Sequence, residues 1–280
     1  MANPFEKKNM RILVTGATGM LGRELCPMLE AEGWQYWATN SKIFDVTNTK
    51  LTNEIMNKVS LEFIIHLAAY TNIDLAETNP EQAYLVNQMG TKNIAQIAKK
   101  LNVPILYVST DMVFDGAKNE PYKTNDATNP ISVYGKSKFL GEEEIRKTTK
   151  KHYIIRTSWL YGKGERDYVN TMLTFSNLRD EISVVDDQIG CPTWTRDLAQ
   201  KIVSIIKEER AFGTYHICSS GHTNWSGFTK EILKNRNTKV ISIDKSDFPR
   251  PAKRPTYSVL DNNNELPDWK NSLSEYLLTR

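Results

Sequence analysis

The stretch "RILVTGATGMLG", residues 11–22, decides the fold of this chain. A short apolar run ends at Gly16, and Gly19 and Gly22 follow where a stretch with helical periodicity begins. Between a strand and a helix, the first glycine permits a tight turn, the second lets the backbone approach a pyrophosphate, and the third lets helix and strand pack closely. The start of the helix adds free N–H groups and the positive end of its dipole. The stretch therefore predicts a dinucleotide-binding strand–turn–helix unit.

The alternation of strand and helix continues well beyond this unit. Apolar runs at 34–39, 63–69, 105–110 and 152–158 are separated by the helix-like stretches "LTNEIMNKV", "PEQAYLVNQMGTKNIAQIAKKLN" and "SKFLGEEEIRKTT". Continuous apolar runs are typical of parallel strands that are buried on both faces. The pattern predicts an α/β fold, a doubly wound parallel Rossmann sheet with a smaller, interleaved C-terminal substrate lobe.

The regular alternation of strand and helix ends at about residue 160, and this point sets the expected division of the chain. We expect four parts: a disordered lead-in at 1–9, a dinucleotide-binding Rossmann domain at 10–160, a stretch at about 180–210 that returns to it, and a lobe formed mainly by 161–280.

Composition excludes several classes of protein. Net charge is +3, from 36 basic and 33 acidic residues, which does not favour a nucleic-acid-binding protein. Apolar runs stay far below the roughly 20 residues that span a bilayer, and the N-terminus lacks the apolar core of a signal peptide. The three cysteines form no C-x-x-C pair, so reduced thiols and a cytoplasmic location are expected. The four histidines have no metal-ligand spacing, and we expect no metal.

The end of the second strand bears on the choice of dinucleotide. NAD enzymes usually carry an acid there that binds the ribose 2′-OH, whereas this chain has Asn40, Ser41 and Lys42. An acid would repel a 2′-phosphate, and a lysine with small polar groups would accept one. We therefore expect NADPH, with NADH as the second possibility. The nearest acid, Asp45, either contacts the adenine side or caps the next helix.

Tyr134 and Lys138 are four residues apart in "VYGKSKFLGE", so they lie one above the other on a helix. They are either a surface pair or part of a mechanism. In the second case the ammonium lowers the pKa of the tyrosine from its usual value of about 10, and the phenol can protonate a ketone oxygen at neutral pH. Thr110, which ends the fourth strand, would donate a hydrogen bond to the same oxygen.

These residues resemble a known family. "GATGMLG", "VSTDMVFDG", "VYGKSK", "RTSWLYG" and "RPTYSVLDN" are similar to extended short-chain dehydrogenases/reductases and, more narrowly, to the dTDP-4-dehydrorhamnose reductase family, over about residues 11–262. The resemblance implies a nucleotide-sugar substrate, either NADPH or NADH, and a monomer or homodimer. It implies reduction of the 4-keto group of dTDP-4-dehydrorhamnose to dTDP-L-rhamnose, with hydride from the nicotinamide and the proton from Tyr134.

The resemblance also assigns individual residues. It implies that Thr110, Tyr134 and Lys138 are catalytic. The implied cofactor-binding residues are Gly16, Thr18, Gly19, Met20, Leu21, Asn40, Ser41, Lys42, Asp45, Val46, Ala68, Ala69, Tyr70, Asn87, Tyr134 and Lys138. The implied substrate-binding residues are Asp111, Val113, Phe114, Trp159, Gln188, Thr193 and Arg254.

Some of these assignments have alternatives. Asn87 would support Lys138 or be a helix-face amide, and Trp159 would contact the sugar or belong to the core. Arg254 would bind the diphosphate with both arms of its guanidinium, or be a surface arginine. His66 stands where the family pattern has a small polar residue, and we expect a buried, hydrogen-bonded histidine. Met112 stands where the family often has tyrosine, which leaves the sugar pocket looser.

Two other functions are compatible with the same motifs. One is another nucleotide-sugar enzyme, such as an epimerase or a 4,6-dehydratase, although Thr110-Asp111-Met112 lacks the Asp-Glu pair of the dehydratases. The other is a binding protein resembling the regulatory subunit of methionine adenosyltransferase. Such a subunit can retain Tyr-x-x-x-Lys, so that motif does not discriminate.

Overall fold

The computed structural model describes residues 9–50, 60–164 and 167–280. The helix predicted for "LTNEIMNKV" (51–59) and residues 1–8 of the predicted lead-in lie outside these ranges.

A six-stranded sheet forms the centre of the fold. Its strands pair in parallel throughout, in the order β10-β5-β4-β3-β1-β2. The strands span Arg11–Thr15 (β1), Gln35–Ala38 (β2), Phe63–His66 (β3), Ile105–Thr110 (β4), His152–Thr157 (β5) and Gly213–His216 (β10). The chain leaves β1 on one side for β2 and crosses to the other side for β3, so the sheet has a switch point between β1 and β3, where such folds bind ligands.

Helices cover both faces of the sheet, which confirms the doubly wound α/β prediction. On one face, α1 (Met20–Ala31) packs with α7 (Thr195–Lys207) over an apolar cluster. On the other face, α4 (Thr91–Leu101) and α5 (Val133–Thr148) cover a second cluster. Glu142 of α5 and Arg156 of β5 form a fully buried ion pair at 2.8 Å that ties this helix to the sheet.

The predicted long helix at 80–102 is helical from Pro80 to Leu101 but is not uniform. It consists of α3 (Pro80–Tyr84), a π-helical segment (Leu85–Gly90) and α4, and the short helix α2 (Ile73–Thr78) precedes it. Asn79 accepts a hydrogen bond from Gln82 N at the start of α3, and Pro80 takes the first helical position, where its missing N–H costs nothing.

The C-terminal half of the chain also contributes to the sheet and to the helices that cover it. Helix α7 packs on α1, and β10 then adds a parallel edge strand beside β5. The sequence pattern did not predict β10, because Gly213–His216 is short and only partly apolar.

The remaining elements build a smaller lobe from short paired strands and aromatic side chains. These elements are β6 (Leu160–Tyr161), β7 (Glu181–Val185), β8 (Ile189–Gly190), β9 (Thr193–Trp194), β11 (Thr223–Asn224), β12 (Lys239–Ile243), α6 (Tyr168–Ser176), α8 (Trp225–Ile232) and α9 (Trp269–Leu278). Tyr161, Phe228, Trp269 and Tyr276 are buried at its centre. Short 3₁₀ turns occur at Asp111–Val113 and Lys245–Asp247.

No helix in the described ranges is both long and apolar enough to cross a bilayer.

Candidate active site

A cavity of about 970 Å³ opens at the carboxyl ends of β1, β3, β4 and β5, beside the lobe. Most residues predicted for the site line it together: Gly16, Thr18, Gly19, Met20, Leu21, Asn40, Ser41, Asp45, Val46, Ala68, Ala69, Tyr70, Thr110, Asp111, Tyr134, Lys138, Trp159, Gln188 and Arg254. Sequence motifs that are up to 238 positions apart therefore share one concave surface.

The glycine loop leaves room for a phosphate group. Gly16 has a φ of +68°, and a Cβ there would lie 2.7 Å from Ala68 N. A Cβ on Gly22 would lie 2.4 Å from Ala17 O, so α1 and the turn after β1 meet at a distance that only glycine allows. Gly19 precedes α1 without a side-chain cap, and the first turn of α1 has no acidic residue. The uncapped helix start fits a pyrophosphate group, as predicted.

The loop after β2 forms the next part of the wall. The side-chain oxygen of Asn40 accepts hydrogen bonds from the backbone N–H groups of Lys42 and Ile43 in its own loop. Lys42 is exposed beside the cavity and is not part of its lining, so its contact with a 2′-phosphate stays a prediction. Asp45 lines the cavity while its carboxylate accepts hydrogen bonds from the backbone and the hydroxyl of Thr47. It thus holds its own turn. The next helix, which it would cap in one of the two interpretations, lies mostly outside the described residues.

The environment of Lys138 differs from that of a surface lysine. Its side chain is buried, Nζ donates a hydrogen bond to Val108 O at 2.8 Å, and Nζ lies 4.0 Å from the ring centroid of Tyr107. Burial lowers the pKa of Lys138 to about 7, although the charge of Glu142 acts in the opposite direction. The surface-pair interpretation is therefore excluded for this residue.

The pKa of Tyr134 is shifted in the direction opposite to the predicted one. Burial raises the pKa of Tyr134 to about 12, a hydrogen bond with Thr110 partly opposes the rise, and the charge of Asp111 adds to it. The spacing of the two residues predicts instead that the ammonium of Lys138 lowers the pKa of this phenol. That prediction is wrong, because burial outweighs other effects at Tyr134 and also disfavours the charged form of Lys138.

Asp111 is held between two hydroxyl groups. Thr110 Oγ1 donates to one carboxylate oxygen at 3.0 Å, and Ser258 Oγ donates to the other at 2.5 Å. Burial raises the pKa of Asp111 to about 6, and both hydroxyls oppose the rise. Ser258 lines the cavity, but sequence reasoning did not select it. Its only signal was its place in "RPTYSVLDN", one of the stretches that carry the resemblance.

Asn87 has a different partner from the one expected. Its amide exchanges hydrogen bonds with the backbone N–H and C=O of Tyr70, at 2.8 and 3.0 Å, and donates to Ser137 at 2.9 Å. The side chain is fully buried behind the cavity wall. Asn87 therefore fixes the loop that carries Tyr70, and it reaches Lys138 only through the neighbouring Ser137.

A pair of tryptophans forms the wall on the side of the lobe. The rings of Trp159 and Trp225 are stacked, with centroids 3.7 Å apart and planes 4° apart. Trp159 has a φ of +44°, a strained conformation for a bulky residue, and Trp225 Nε1 donates to Gln188 at 3.2 Å. Trp225 lines the cavity but was not predicted, because a tryptophan at the start of a helix has no distinctive pattern.

Three residues that were predicted to contact the substrate have side chains buried away from the cavity. Val113 and Phe114 are fully buried in an apolar cluster, where Phe114 stacks on Tyr122. Thr193 is also fully buried, and its hydroxyl donates to Cys191 O and accepts from Ser219 N. Val113 ends the 3₁₀ turn at Asp111–Val113 and Thr193 begins β9, and both positions are packed in the interior.

Arg254 lines the cavity with its guanidinium already paired. It donates to both carboxylate oxygens of Asp74, at 3.0 and 2.8 Å, and its side chain is 13% exposed, so it is not a free surface arginine. Binding of a diphosphate by Arg254 stays a prediction.

His66 and Met112, the two departures from the family pattern, are both buried. His66 is hydrogen-bonded to Thr15 and Thr91, and burial lowers its pKa to about 3, so the predicted buried histidine is confirmed. Met112 lines the cavity with little exposure. Within the described ranges, no three His, Cys, Asp or Glu side chains are grouped as metal ligands would be.

Comparison with known families agrees with this geometry. Residues 10–279 match the family model described as "RmlD substrate binding domain". The chain belongs to this family. The match covers both the sheet and the lobe.

Members of the family are similar to the chain over nearly its full length. A spore coat polysaccharide biosynthesis protein, SpsK, of Bacillus subtilis is 35% identical over 278 residues, covering 96% of this chain and 98% of the relative. A dTDP-4-dehydrorhamnose reductase of Aggregatibacter actinomycetemcomitans is 38% identical over 266 residues, 90% of each chain. The crystal structure of a dTDP-4-dehydrorhamnose reductase from Bacillus anthracis in complex with NADP has a TM-score of 0.94 at 34% identity, covering 97% of this chain and 100% of that one.

Proposed function

We propose that this chain is an NADPH-dependent reductase that converts the 4-keto group of dTDP-4-dehydrorhamnose to the alcohol of dTDP-L-rhamnose. The observation that carries the proposal is the convergence of Thr110, Tyr134 and Lys138 on the cavity whose other end is the glycine loop. The family membership and the names of its full-length relatives support the substrate class.

NADPH is the cofactor that the residues fit. The uncapped start of α1 suits a pyrophosphate, and the loop Asn40–Lys42 presents no carboxylate that would repel a 2′-phosphate. The relative from Bacillus anthracis was solved with NADP. When bound, the reduced nicotinamide supplies the hydride that reduces C4.

The protein's own residues supply the proton and orient the ketone. Because the pKa of Tyr134 is about 12, the phenol is protonated at neutral pH and acts as the acid in the reducing direction. Thr110 lies beside it with a hydroxyl that can share the developing charge on the ketone oxygen. Lys138, fixed by Val108 O, presents donors to the same part of the cavity.

The lobe would hold the rest of the nucleotide sugar. Trp159 offers an apolar wall to the sugar, and Gln188 and Arg254 offer hydrogen-bond donors. Met112, in place of an aromatic residue, leaves the sugar end wider. Their contacts with substrate stay predictions.

The test is an NADPH-oxidation assay on enzymatically made dTDP-4-keto-6-deoxy sugar, with and without the 3,5-epimerase that supplies the L-configured ketone. We expect oxidation to depend on the epimerase and the product to be dTDP-L-rhamnose. Turnover without the epimerase would indicate a sibling 6-deoxy sugar as the substrate. No turnover, together with stable capture of a methionine adenosyltransferase, would replace the enzyme proposal with the binding-protein alternative.

Cofactor choice has its own measurement. We expect higher kcat/KM with NADPH than with NADH, and the difference should shrink in Lys42→Ala. Equal efficiency with both cofactors in the parent protein would show that the loop at Asn40–Lys42 does not discriminate.

Oligomeric state and location stay predictions. The three cysteines are free and buried, which is compatible with a reducing cytoplasm. Light scattering on the purified chain distinguishes the expected monomer or homodimer from a larger assembly.

A further inference from the structure

One residue in the wall of the cavity carries a buried hydroxyl group that has no hydrogen-bond partner. Within the described ranges, such unpartnered side-chain atoms belong to Glu24, Thr157, Tyr161, Trp194, Thr195, His216 and Ser219. Thr157 is the member of this set that lines the cavity. A ligand lying against this wall is therefore the partner within reach of the Thr157 hydroxyl.

The neighbouring hydroxyl groups are already paired inside the protein. Ser158 Oγ donates to Cys191 O at 2.7 Å, and Thr110 Oγ1 donates to Asp111 Oδ1 at 3.0 Å. Thr157 is 3% exposed, and its hydroxyl oxygen is almost completely covered. A hydroxyl that is buried without a partner makes folding less favourable, and a ligand that supplies the missing hydrogen bond recovers that loss on binding.

The place of Thr157 in the sheet indicates which part of a ligand it meets. Thr157 ends β5 and is in register with Thr110, which ends β4, and neighbouring strands lie about 5 Å apart. The glycine loop that fits the pyrophosphate follows β1, and the loop that would receive the 2′-phosphate follows β2. Strands β4 and β5 lie on the opposite side of β1 from β2. The nicotinamide half of the cofactor therefore extends toward Thr110 and Thr157.

The reaction requires the nicotinamide ring beside Thr110 and Tyr134, since its hydride goes to the carbon whose oxygen Tyr134 protonates. The ring carries a carboxamide, which has N–H donors and a carbonyl acceptor. A threonine hydroxyl both donates and accepts, so it can pair with either end of that group.

We propose that the hydroxyl of Thr157 binds the carboxamide of the nicotinamide and thereby fixes the ring beside Thr110. This inference rests on the proposed NADPH-dependent function. Thr157 is a cofactor-binding residue in this proposal and transfers no proton.

Replacement of Thr157 by Val tests the contact without turnover, because a methyl group of nearly the same shape replaces the hydroxyl. We expect the Kd for NADPH, measured by fluorescence titration, to rise about 2- to 10-fold. The melting temperature of the cofactor-free protein should stay the same or rise, since an unpartnered hydroxyl is no longer buried. Added NADPH should then raise it by less than in the parent. Thr157→Ser, which keeps the hydroxyl, should retain the parent Kd.

Thr195 provides a matched control. It is fully buried at the start of α7, its hydroxyl also has no partner among the described residues, and it is not part of the cavity lining. Thr195→Val should keep the parent Kd for NADPH, although it removes the same kind of hydroxyl.

Two cofactor analogues identify the group that Thr157 contacts. In one analogue of NADP an acetyl group replaces the carboxamide and removes its N–H groups, and in the other a thioamide replaces its oxygen by sulfur. The parent should bind at least one of them more weakly than NADP, and that preference should shrink in Thr157→Val. A preference that is unchanged for both analogues would overturn the assignment to the carboxamide.

The remaining outcomes separate this inference from the proposed function. A Kd for NADPH that is the same in Thr157→Val and the parent would overturn the inference alone, as would an effect confined to the Kd for dTDP-L-rhamnose. A parent that binds no NADPH would reject the reductase proposal and this inference together. A parent that binds NADPH without reducing the sugar nucleotide, with weaker binding in Thr157→Val, would reject the reaction and leave the Thr157 contact standing.

Discussion

Tyr134 and Lys138 obtain their chemistry from burial rather than from each other. The ammonium of Lys138 is directed to Val108 O, and the phenol lines the same cavity as Thr110. Burial disfavours the charged form of each group, which raises the pKa of the tyrosine and lowers that of the lysine. A neutral phenol is the form that a reductase needs, since it must donate a proton.

Replacement of Tyr134 by Phe tests this role directly. We expect kcat to fall by about 10²- to 10⁴-fold, the usual contribution of a positioned acid, while NADPH binding measured by fluorescence titration stays close to that of the parent. Tyr215→Phe is the control, since that hydroxyl only donates to the backbone oxygen of Ala211. Undiminished turnover in Tyr134→Phe would remove this residue from the mechanism.

His66 should make the fold sensitive to acid. Its folded pKa of about 3 lies below the usual value of about 6.5, so the unfolded chain binds the extra proton between these values. The stability that the neutral ring provides is therefore complete above pH 6.5 and is lost as pH falls toward 3. At pH 5 the expected loss is about 2 kcal/mol.

Urea denaturation of His66→Gln at pH 7.5 and 5 measures this effect. The variant should be less stable at pH 7.5, but its free energy of unfolding should change less between the two pH values. His222→Gln, at an exposed position, should keep the pH dependence of the parent. An undiminished pH dependence in His66→Gln would show that another group dominates; buried His216, with a pKa lowered to about 4, is the first candidate.

At the scale of elements, helix α5 is placed by glycines. A Cβ on Gly135 would lie 2.1 Å from Met112 O, and one on Gly141 would lie 2.5 Å from Asn87 O. The helix thus rests on the turn after β4 and on the π-helical segment. Because Tyr134 and Lys138 are on this helix, its contacts set the geometry of the catalytic pair.

Gly135→Ala should disturb that geometry. The new methyl group would meet a backbone carbonyl, so α5 must shift where Tyr134 is attached. We expect a loss of about 1–3 kcal/mol in the free energy of unfolding and a clear fall in kcat. Lys136→Ala, at the exposed neighbouring position, should change neither quantity greatly. If Gly135→Ala keeps the kcat and the stability of the parent, the turn after β4 can shift without a measurable loss in the free energy of unfolding.

The π-helical segment shows a limit of sequence patterns for elements. Residues 80–102 have helical periodicity, and the chain is helical over most of that range. The wider turn at Leu85–Gly90 contains Asn87, whose amide reaches back to Tyr70. The tertiary contact with the loop after β3 distinguishes this turn from the regular helix, and periodicity does not encode that contact.

At the scale of the molecule, the two halves of the chain share one core. Leu198, Ile202 and Ile206 of α7 lie in the same apolar cluster as Leu21 and Leu25 of α1. Strand β10 continues the sheet beside β5. A cut of the chain at residue 160 would therefore separate residues that pack together.

A fragment of residues 1–160 tests this interdependence. Without α7 and β10, it exposes the apolar face of α1 and the edge of β5, so we expect aggregation or a much lower melting temperature by circular dichroism. The control is the full chain cut at a protease site inserted in the exposed loop between Leu178 and Arg179, which keeps both parts together. A fragment that unfolds reversibly at the temperature of the parent would show that residues 10–160 fold alone.

The sequence by itself determined the first five strands of the sheet, the glycine loop and the positions of Thr110, Tyr134 and Lys138, because these depend on local periodicity and on short spacings. Tertiary structure decided which neighbouring residues face the cavity. Val113, Phe114 and Thr193 turn into the core, while Ser258 and Trp225 reach the site from distant elements. It also decided the protonation of Tyr134, since the pKa of a group depends on the burial and the partners that the whole fold provides, and no spacing in the sequence specifies them.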